Sequence, residues 1–232
     1  SAMTSSNHRF TDAERRGLYR AIHERRDVRS QFLPDRIPPE VLARLLEAAH
    51  HAPSVGFMQP WDFIVIESRS VRDAVLATFE EENQKAAERF EGERKEHYRS
   101  LKLQGILESP LNLCITCDRS RGGPHVLGRN SIVDTDLFST CLAVQNLWLA
   151  ARAEGIGVGW VSILDQEQLS TALNLPGHVY PLAYLCLGYV SDFLDQPELE
   201  AKGGRGRLPL SELVHGDQWG QPLAALNKVA VK

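Results

Sequence analysis

A chain of 232 residues is long enough for one sizeable domain and short for two. Hydrophobic residues make up 43% and charged residues 24%, with a formal net charge of -4. A core can therefore form without disulfides or metal, and the concentrated positive surface that nucleic acid requires is missing. The cysteines, Cys114, Cys117, Cys141 and Cys186, make no disulfide framework and point to a reducing, cytoplasmic setting. No run of about 18 apolar residues offers a membrane span.

Ser1-Ala2 before Met3 reads as a cloning remnant, so 1–8 is expected to be a tag remnant and flexible N-terminus and 9–232 a single domain. Thr11 to about Arg25 predicts a helix capped by Thr11 or Asp12, with Leu18 and Ile22 on an apolar stripe. Glu40–His51 predicts a second helix with Val41, Leu42, Leu45, Leu46 and Ala49 at helical spacing. The loop APSVGFMQPW leads to a strand over Asp62–Glu67. Ser70 to about Leu107 reads as helical and highly charged. It is either a solvated face or, over 80–103, a lid on a pocket.

Leu111–Cys117 reads as a strand, followed by the polar loop DRSRGGPHVLGRNS. From about Val133 to Glu154 runs the strongest helix, apolar on several faces, with Asp134 and Asp136 placed to suit its dipole. A glycine run then opens a strand at Trp160–Ile163. A helix at Gln166–Leu173, a strand at Pro181–Val190 and a tail from Ser191 complete the chain. Strands separated by helices indicate an α+β sandwich.

Several clusters could carry chemistry. Arg25-Arg26-Asp27-Val28-Arg29 sets three guanidiniums where a helix ends, which suits a phosphorylated ligand or simply a charged surface. Asp27 is then a local salt-bridge partner. In the Gly/Pro loop, Ser54 and Gln59 present donors and acceptors to a heterocycle edge, or only order a turn. Gly155-x-Gly157-x-Gly159 lacks dinucleotide-fingerprint spacing. These glycines either let backbone amides approach a flat ring or end the helix. Cys114-x-x-Cys117 lies in a strand-like run, where its side chains point to opposite faces, and reads as structural. No H-x-x-x-H or similar ligand pair, Walker loop or nucleophile elbow is present. Lys202, Arg205 and Arg207 offer a second phosphate clamp or a basic tail.

In this order, RRDVRSQF, APSVGFMQPW, LAVQNLWLAARAEGIGVGW and RLPLSELV resemble the nitroreductase superfamily over nearly the whole chain. The resemblance implies an FMN-binding α/β/α sandwich, homodimeric, with an extended C-terminal tail. Asp27 within RRDVR, Ser162 within GVGWVSI and the insertion ERFEGERKEHYRSLKLQGI are similar to a branch that fragments reduced FMN with O2 to 5,6-dimethylbenzimidazole and erythrose 4-phosphate. Residue by residue it implies Asp27 and Ser162 as catalytic. For FMN it implies Arg25, Arg26, Asp27, Arg29, Ser54, Gln59, Gly157, Val158, Gly159, Ser162, Arg205 and Arg207. Reduced FMN would be a substrate, O2 the co-substrate, no metal would be needed, and a separate flavin reductase would supply the flavin. The alternative is an NAD(P)H-dependent nitroreductase or flavin reductase.

Overall fold

Thr11 accepts the Glu14 amide while the Glu14 carboxylate reaches back to the Thr11 amide, so the first helix, α1 (Asp12–Glu24), starts on a capping box. The computed structural model describes residues 8–204 and 206–226, and the expected tag remnant at 1–8 lies outside them except for His8. One unit ends at Asp195 and a second begins at Gln196. In the first, α1 is followed by α2 (Pro39–His50), β1 (Trp61–Ile66), α3 (Arg69–Ala87), α4 (Gly92–Ser100), β2 (Leu111–Asp118), α5 (Thr135–Ala153), β3 (Ile156–Val161), α6 (Gln166–Ala172) and β4 (Val179–Tyr189).

The four strands form one antiparallel sheet in the order β1-β2-β4-β3. Side chains alternate across it. Leu113, Ile115, Leu185, Leu187 and Val158 face Leu45 and Ala49 of α2 and Ala143, Val144, Leu147 and Ala151 of α5. Cys114, Tyr184, Cys186 and Val161 face Val75 and Phe79 of α3, Leu169 of α6 and Ile106. A helical layer covers each face, which makes the α/β/α sandwich. Cys114 and Cys117 do point apart. Cys114 sits in the α3–α6 layer, while Cys117 meets Thr140 of α5.

The structure corrects four local expectations. The charged stretch 70–107 is not one helix: α3 stops at Ala87, Gly92 turns the chain at φ +58°, and α4 folds back with Phe90 stacked on Tyr98 and the Tyr98 hydroxyl donating to Asn83. Residues 101–110 are non-helical because Ile106 and Ser109 are drawn into the core. The glycine run does not precede the strand. It is the strand, since Ile156–Val161 pairs with β4 throughout. The stripe on α1 is not buried, as Leu18 and Ile22 remain 49% and 43% exposed and only Ala21 is covered.

Glycines in a strand are costly unless something crowds the backbone. Here Asp27 makes a parallel bridge to Val158, and the Val28 amide donates to the Val158 carbonyl at 3.0 Å. A Cβ on Gly159 would lie 2.1 Å from the Val28 carbonyl oxygen, and one on Gly157 would lie 2.6 Å and 2.9 Å from methyls of Val190 and Val28. Gly155 alone ends α5, at φ +76°.

The second unit holds a short helix, α7 (Glu198–Ala201), a 3-10 turn at Leu210–Glu212, and His215 stacked on an exposed Trp219. Among the described residues no helix is long and apolar enough to cross a membrane.

Gly159→Ala is expected to destabilise the chain more than Gly157→Ala, by about 1–3 kcal/mol or more, because its methyl meets backbone rather than side-chain termini. Urea denaturation of both variants checks this, and equal losses would contradict it.

Candidate active site

Asp27 leaves α1 two residues after the C-cap and reaches the open edge of β3. One carboxylate oxygen, Oδ1, accepts the Trp160 amide at 2.8 Å, and Oδ2 is ion-paired with Arg29. The carboxylate thus replaces a neighbouring strand's carbonyl, two residues along β3 from the Val28–Val158 hydrogen bond. About a quarter of the side chain (27%) stays exposed. Burial raises the Asp27 pKa above the ordinary carboxylate value, against the opposing pull of Arg29, the Trp160 amide and Arg25.

The three arginines of this segment have separate surroundings. Arg25 lies over the Trp148 ring, 4.7 Å from its centroid. Arg26 turns back: its terminal nitrogens donate to the carbonyls of His23, Arg25 and Asp195, its Nε is buried without a hydrogen-bond partner, and its own carbonyl accepts the Trp148 indole at 3.2 Å. Arg29 is 12% exposed and faces Asp27.

Ser54 and Gln59 are both in the loop before β1. The Gln59 amide donates to the Ser54 hydroxyl at 3.1 Å, and the Val55 amide donates to Ser139 of α5. Gly56, Phe57 and Gln59 all take positive φ, with the Phe57 ring 77% exposed.

The polar loop after β2 carries Arg119, Arg121 and Arg129, of which Arg121 and Arg129 brace this turn. Arg121 donates to the carbonyls of Gln59 and Trp61 and pairs with Asp62 at 2.6 Å. Arg119 and Arg129 converge on Asp136, which is fully buried, at 2.9 Å and 3.3 Å. Asp136 does lie in the first turn of α5, where Oδ1 accepts the Leu137 amide at 2.8 Å, and Oδ2 takes the two guanidiniums. The signal was available in the sequence, since alternating arginines ahead of paired aspartates suit a buried ionic cluster.

Ser162 lies one residue past β3 and is exposed, rather than inside a strand. It lines a cavity of about 390 Å³ with Trp160, Gln166, Tyr184 and, from α3, Glu82. The Tyr184 hydroxyl is held below by Asn112 at 2.6 Å. Gly157, Val158 and Gly159 form the strand edge beside Asp27, with the space over Gly159 filled by the Val28 carbonyl. Asp27, Arg29 and the β3 glycines are therefore brought together. Arg207 is exposed in the second unit, as is Lys202, and Arg205 lies outside the described residues.

The buried thiols are unreactive. Burial pushes Cys114 and Cys186 up to about 12 and Cys117 up to about 11, so they stay protonated. Among the described residues no group of three His, Cys, Asp or Glu could hold a metal ion.

The sequence profile of the nitroreductase family matches residues 22–189, from the end of α1 to the end of β4. The chain belongs to the nitroreductase family. Within that family it is 40% identical to a 5,6-dimethylbenzimidazole synthase of Rhodospirillum rubrum over 86% of this chain and 94% of that one. It is also 40% identical to a Rhodobacter capsulatus protein of the same name, over 86% and 96%. Its fold matches a BluB-like flavoprotein from Clostridium difficile 630 with a TM-score of 0.66 at 18% identity, covering 87% of this chain and 99% of that one. An iodotyrosine deiodinase bound to FMN and 3-iodo-L-tyrosine matches with a TM-score of 0.65 at 23% identity, covering 83% and 95%. Relatives named NAD(P)H nitroreductase are more distant, such as one from Methanothermobacter thermautotrophicus at 23% identity over 74% of this chain and 76% of that one.

Two outcomes follow for this nitroreductase-family site. Asp136→Asn leaves the largely buried Arg129 guanidinium without its anion, while Arg119 keeps Asp134, and is expected to cost about 3–5 kcal/mol, read from urea denaturation; a loss under about 1 kcal/mol would assign the cluster to the screened surface. The raised Asp27 pKa means that the folded chain keeps a proton where the unfolded chain has released it. Its contribution to stability therefore falls as pH rises from the ordinary carboxylate value through the folded value. The stability difference between Asp27→Asn and the parent should shift in the variant's favour across that window, in urea midpoints taken at successive pH values. A pH-independent difference would remove the buried-proton account.

Proposed function

We propose that this chain uses O2 to fragment reduced FMN into 5,6-dimethylbenzimidazole, with erythrose 4-phosphate as the second product. The observation that carries this reading is Asp27: a carboxylate anchored at both oxygens, partly desolvated, within a chain 40% identical to two 5,6-dimethylbenzimidazole synthases.

The donor set fits FMN. A flavin phosphate asks for cations, and its ring edge asks for hydrogen-bonding groups beside a flat wall. Arg25 and Arg26 supply cations beside the β3 edge, Arg26 with an orphaned Nε. Ser54, Gln59 and Ser162 supply polar groups, and β3 with Trp160 supplies the wall. Gly157 and Gly159 give their space to Val28 and Val190 rather than to the ring, and with Val158 they hold the segment that presents Asp27. Reduced FMN, when bound, supplies both the electrons for O2 and the carbons of the product.

The chain's own task is to place protons and exclude water. Asp27 exchanges a proton at Oδ1 or Oδ2, and its raised pKa brings that exchange closer to neutral pH. Ser162, at the mouth of its cavity, orients the ring. The hairpin of α3 and α4 (80–103) is assigned as the lid. Internal pairs such as Lys95–Glu88 and Lys85–Glu82 hold it, and Ala87 is its one buried residue.

Apolar side chains exposed on α1 (Leu18, Tyr19, Ile22) and on α5 (Phe138, Leu142) support a homodimer. A separate reductase is assigned to deliver the reduced flavin. The cytoplasm is assigned as its compartment on the strength of four unpaired cysteines.

The test supplies reduced FMN and air to the full chain and looks for 5,6-dimethylbenzimidazole by mass spectrometry. Product is expected from the parent, whereas Asp27→Asn is expected to bind FMN and lose at least about a hundredfold in product formation. Oxidised FMN as the sole flavin product from the parent would sink the synthase reading. Rapid NAD(P)H oxidation with retained FMN would replace it with a reductase.

A further inference from the structure

Arg29 stands between two bridges that fix its backbone. On one side Asp27 bridges Val158; on the other Phe32 bridges Val190, with the Leu33 amide donating to the Tyr189 carbonyl at 2.8 Å. Gly105 closes over it: a Cβ there would lie 2.9 Å from the Arg29 carbonyl oxygen and 2.7 Å from the Phe32 ring. The backbone that delivers the Arg29 side chain is thus held on three sides. The side chain is 12% exposed, and its guanidinium faces Asp27 Oδ2 while the Trp160 amide holds Oδ1. A guanidinium committed in this way is poorly disposed to meet a phosphate arriving from solvent.

We propose that Arg29 is the positioning residue of Asp27: rather than gripping the flavin phosphate, it locks the carboxylate across the β3 edge and supplies its counter-charge. This rests on the reading of Asp27 as the proton-exchanging group. The other groups facing that carboxylate are Arg25 from the same segment, the Trp160 amide from β3 and the Cys186 thiol from β4, which is neutral because burial pushes it up to about 12. Arg29 is the leading charge opposing the effect of burial on Asp27. Without it, the carboxyl would hold its proton to higher pH. With a charge but no fork, as in Arg29→Lys, one contact to Oδ2 and most of the electrostatic effect would remain.

The experiment follows the Asp27 carboxyl by carbon-13 NMR in the full-length, flavin-free chain, its signal assigned by its loss in Asp27→Asn. In Arg29→Gln the Asp27 titration is expected to move upward by about one pH unit or more. In Arg29→Lys it should stay nearer the parent than in the Gln variant. FMN affinity should fall less than about tenfold in Arg29→Gln, since no phosphate contact is lost. The acidic limb of the product-formation profile should move in the same direction as the NMR titration. If the Gln variant does not fold, Arg29→Met, which keeps the apolar stem, takes its place. An unmoved Asp27 titration overturns the proposal, as does a hundredfold loss of FMN affinity in the Gln variant. A parent chain that forms no dimethylbenzimidazole would defeat the functional reading alone, because the NMR titration still decides whether Arg29 governs Asp27.

Discussion

The close crossing of Asp27-Val28 over the edge of β3 is the constraint on which the site depends. Two backbones meet where a Cβ would stand 2.1 Å from a carbonyl oxygen, so the strand must carry glycine at 159. The crossing adds a parallel bridge to an otherwise antiparallel sheet and carries the chain from α1 to the sheet edge. With the backbone pinned by the Val28–Val158 hydrogen bond, the Asp27 side chain has one place to go: the next amide along, that of Trp160. The same contact that closes the fold therefore presents the carboxylate. Little freedom remains to be lost when the site is used, which is the physical content of preorganisation.

Two aspartates show how the surroundings of a charge divide structure from chemistry. Asp136 is fully buried and met by two guanidiniums, so it is neutralised and committed to holding a loop in place. Asp27 keeps part of its surface open and has one close ion-pair partner, with burial and the arginine pulling its pKa in opposite directions. A carboxylate balanced as Asp27 is remains open to proton exchange. Arg121, donating to the carbonyls of Gln59 and Trp61, and Arg129, reaching Met58, brace the turn that carries Ser54 and Gln59, while Arg119 and Arg129 meet on Asp136.

Much of the fold was legible along the chain because its cues are local. The Thr11 cap, the apolar spacing of α2 and α5, and the apolar runs of β1, β2 and β4 each placed an element within a few residues. The misreadings share one cause, in that the deciding contact is distant in sequence. The glycines of β3 carry a low strand preference that Val28, well over a hundred residues earlier, overrides. The charged stretch after β1 has helical composition throughout. It breaks nevertheless because Gly92 turns it and Ile106 and Ser109 are claimed by the core. Asp136 does sit in the first turn of its helix; what its position alone did not show is the pair of arginines on the preceding loop that reach it only after folding.

By itself the sequence determined the class of fold, the alternation of elements and the ordered set of motifs that marks the nitroreductase family, because periodicity, caps and motif order are properties of neighbouring residues. It also brought Arg25, Arg26, Asp27 and Arg29 into one short segment. Only the tertiary structure decided what each of them does. Packing turned Arg26 back onto carbonyls, laid Arg25 over Trp148 and set Arg29 against Asp27, all from a single run of like residues. A side chain's role follows from its partners and its access to water, and both are assigned when distant strands and loops close around it.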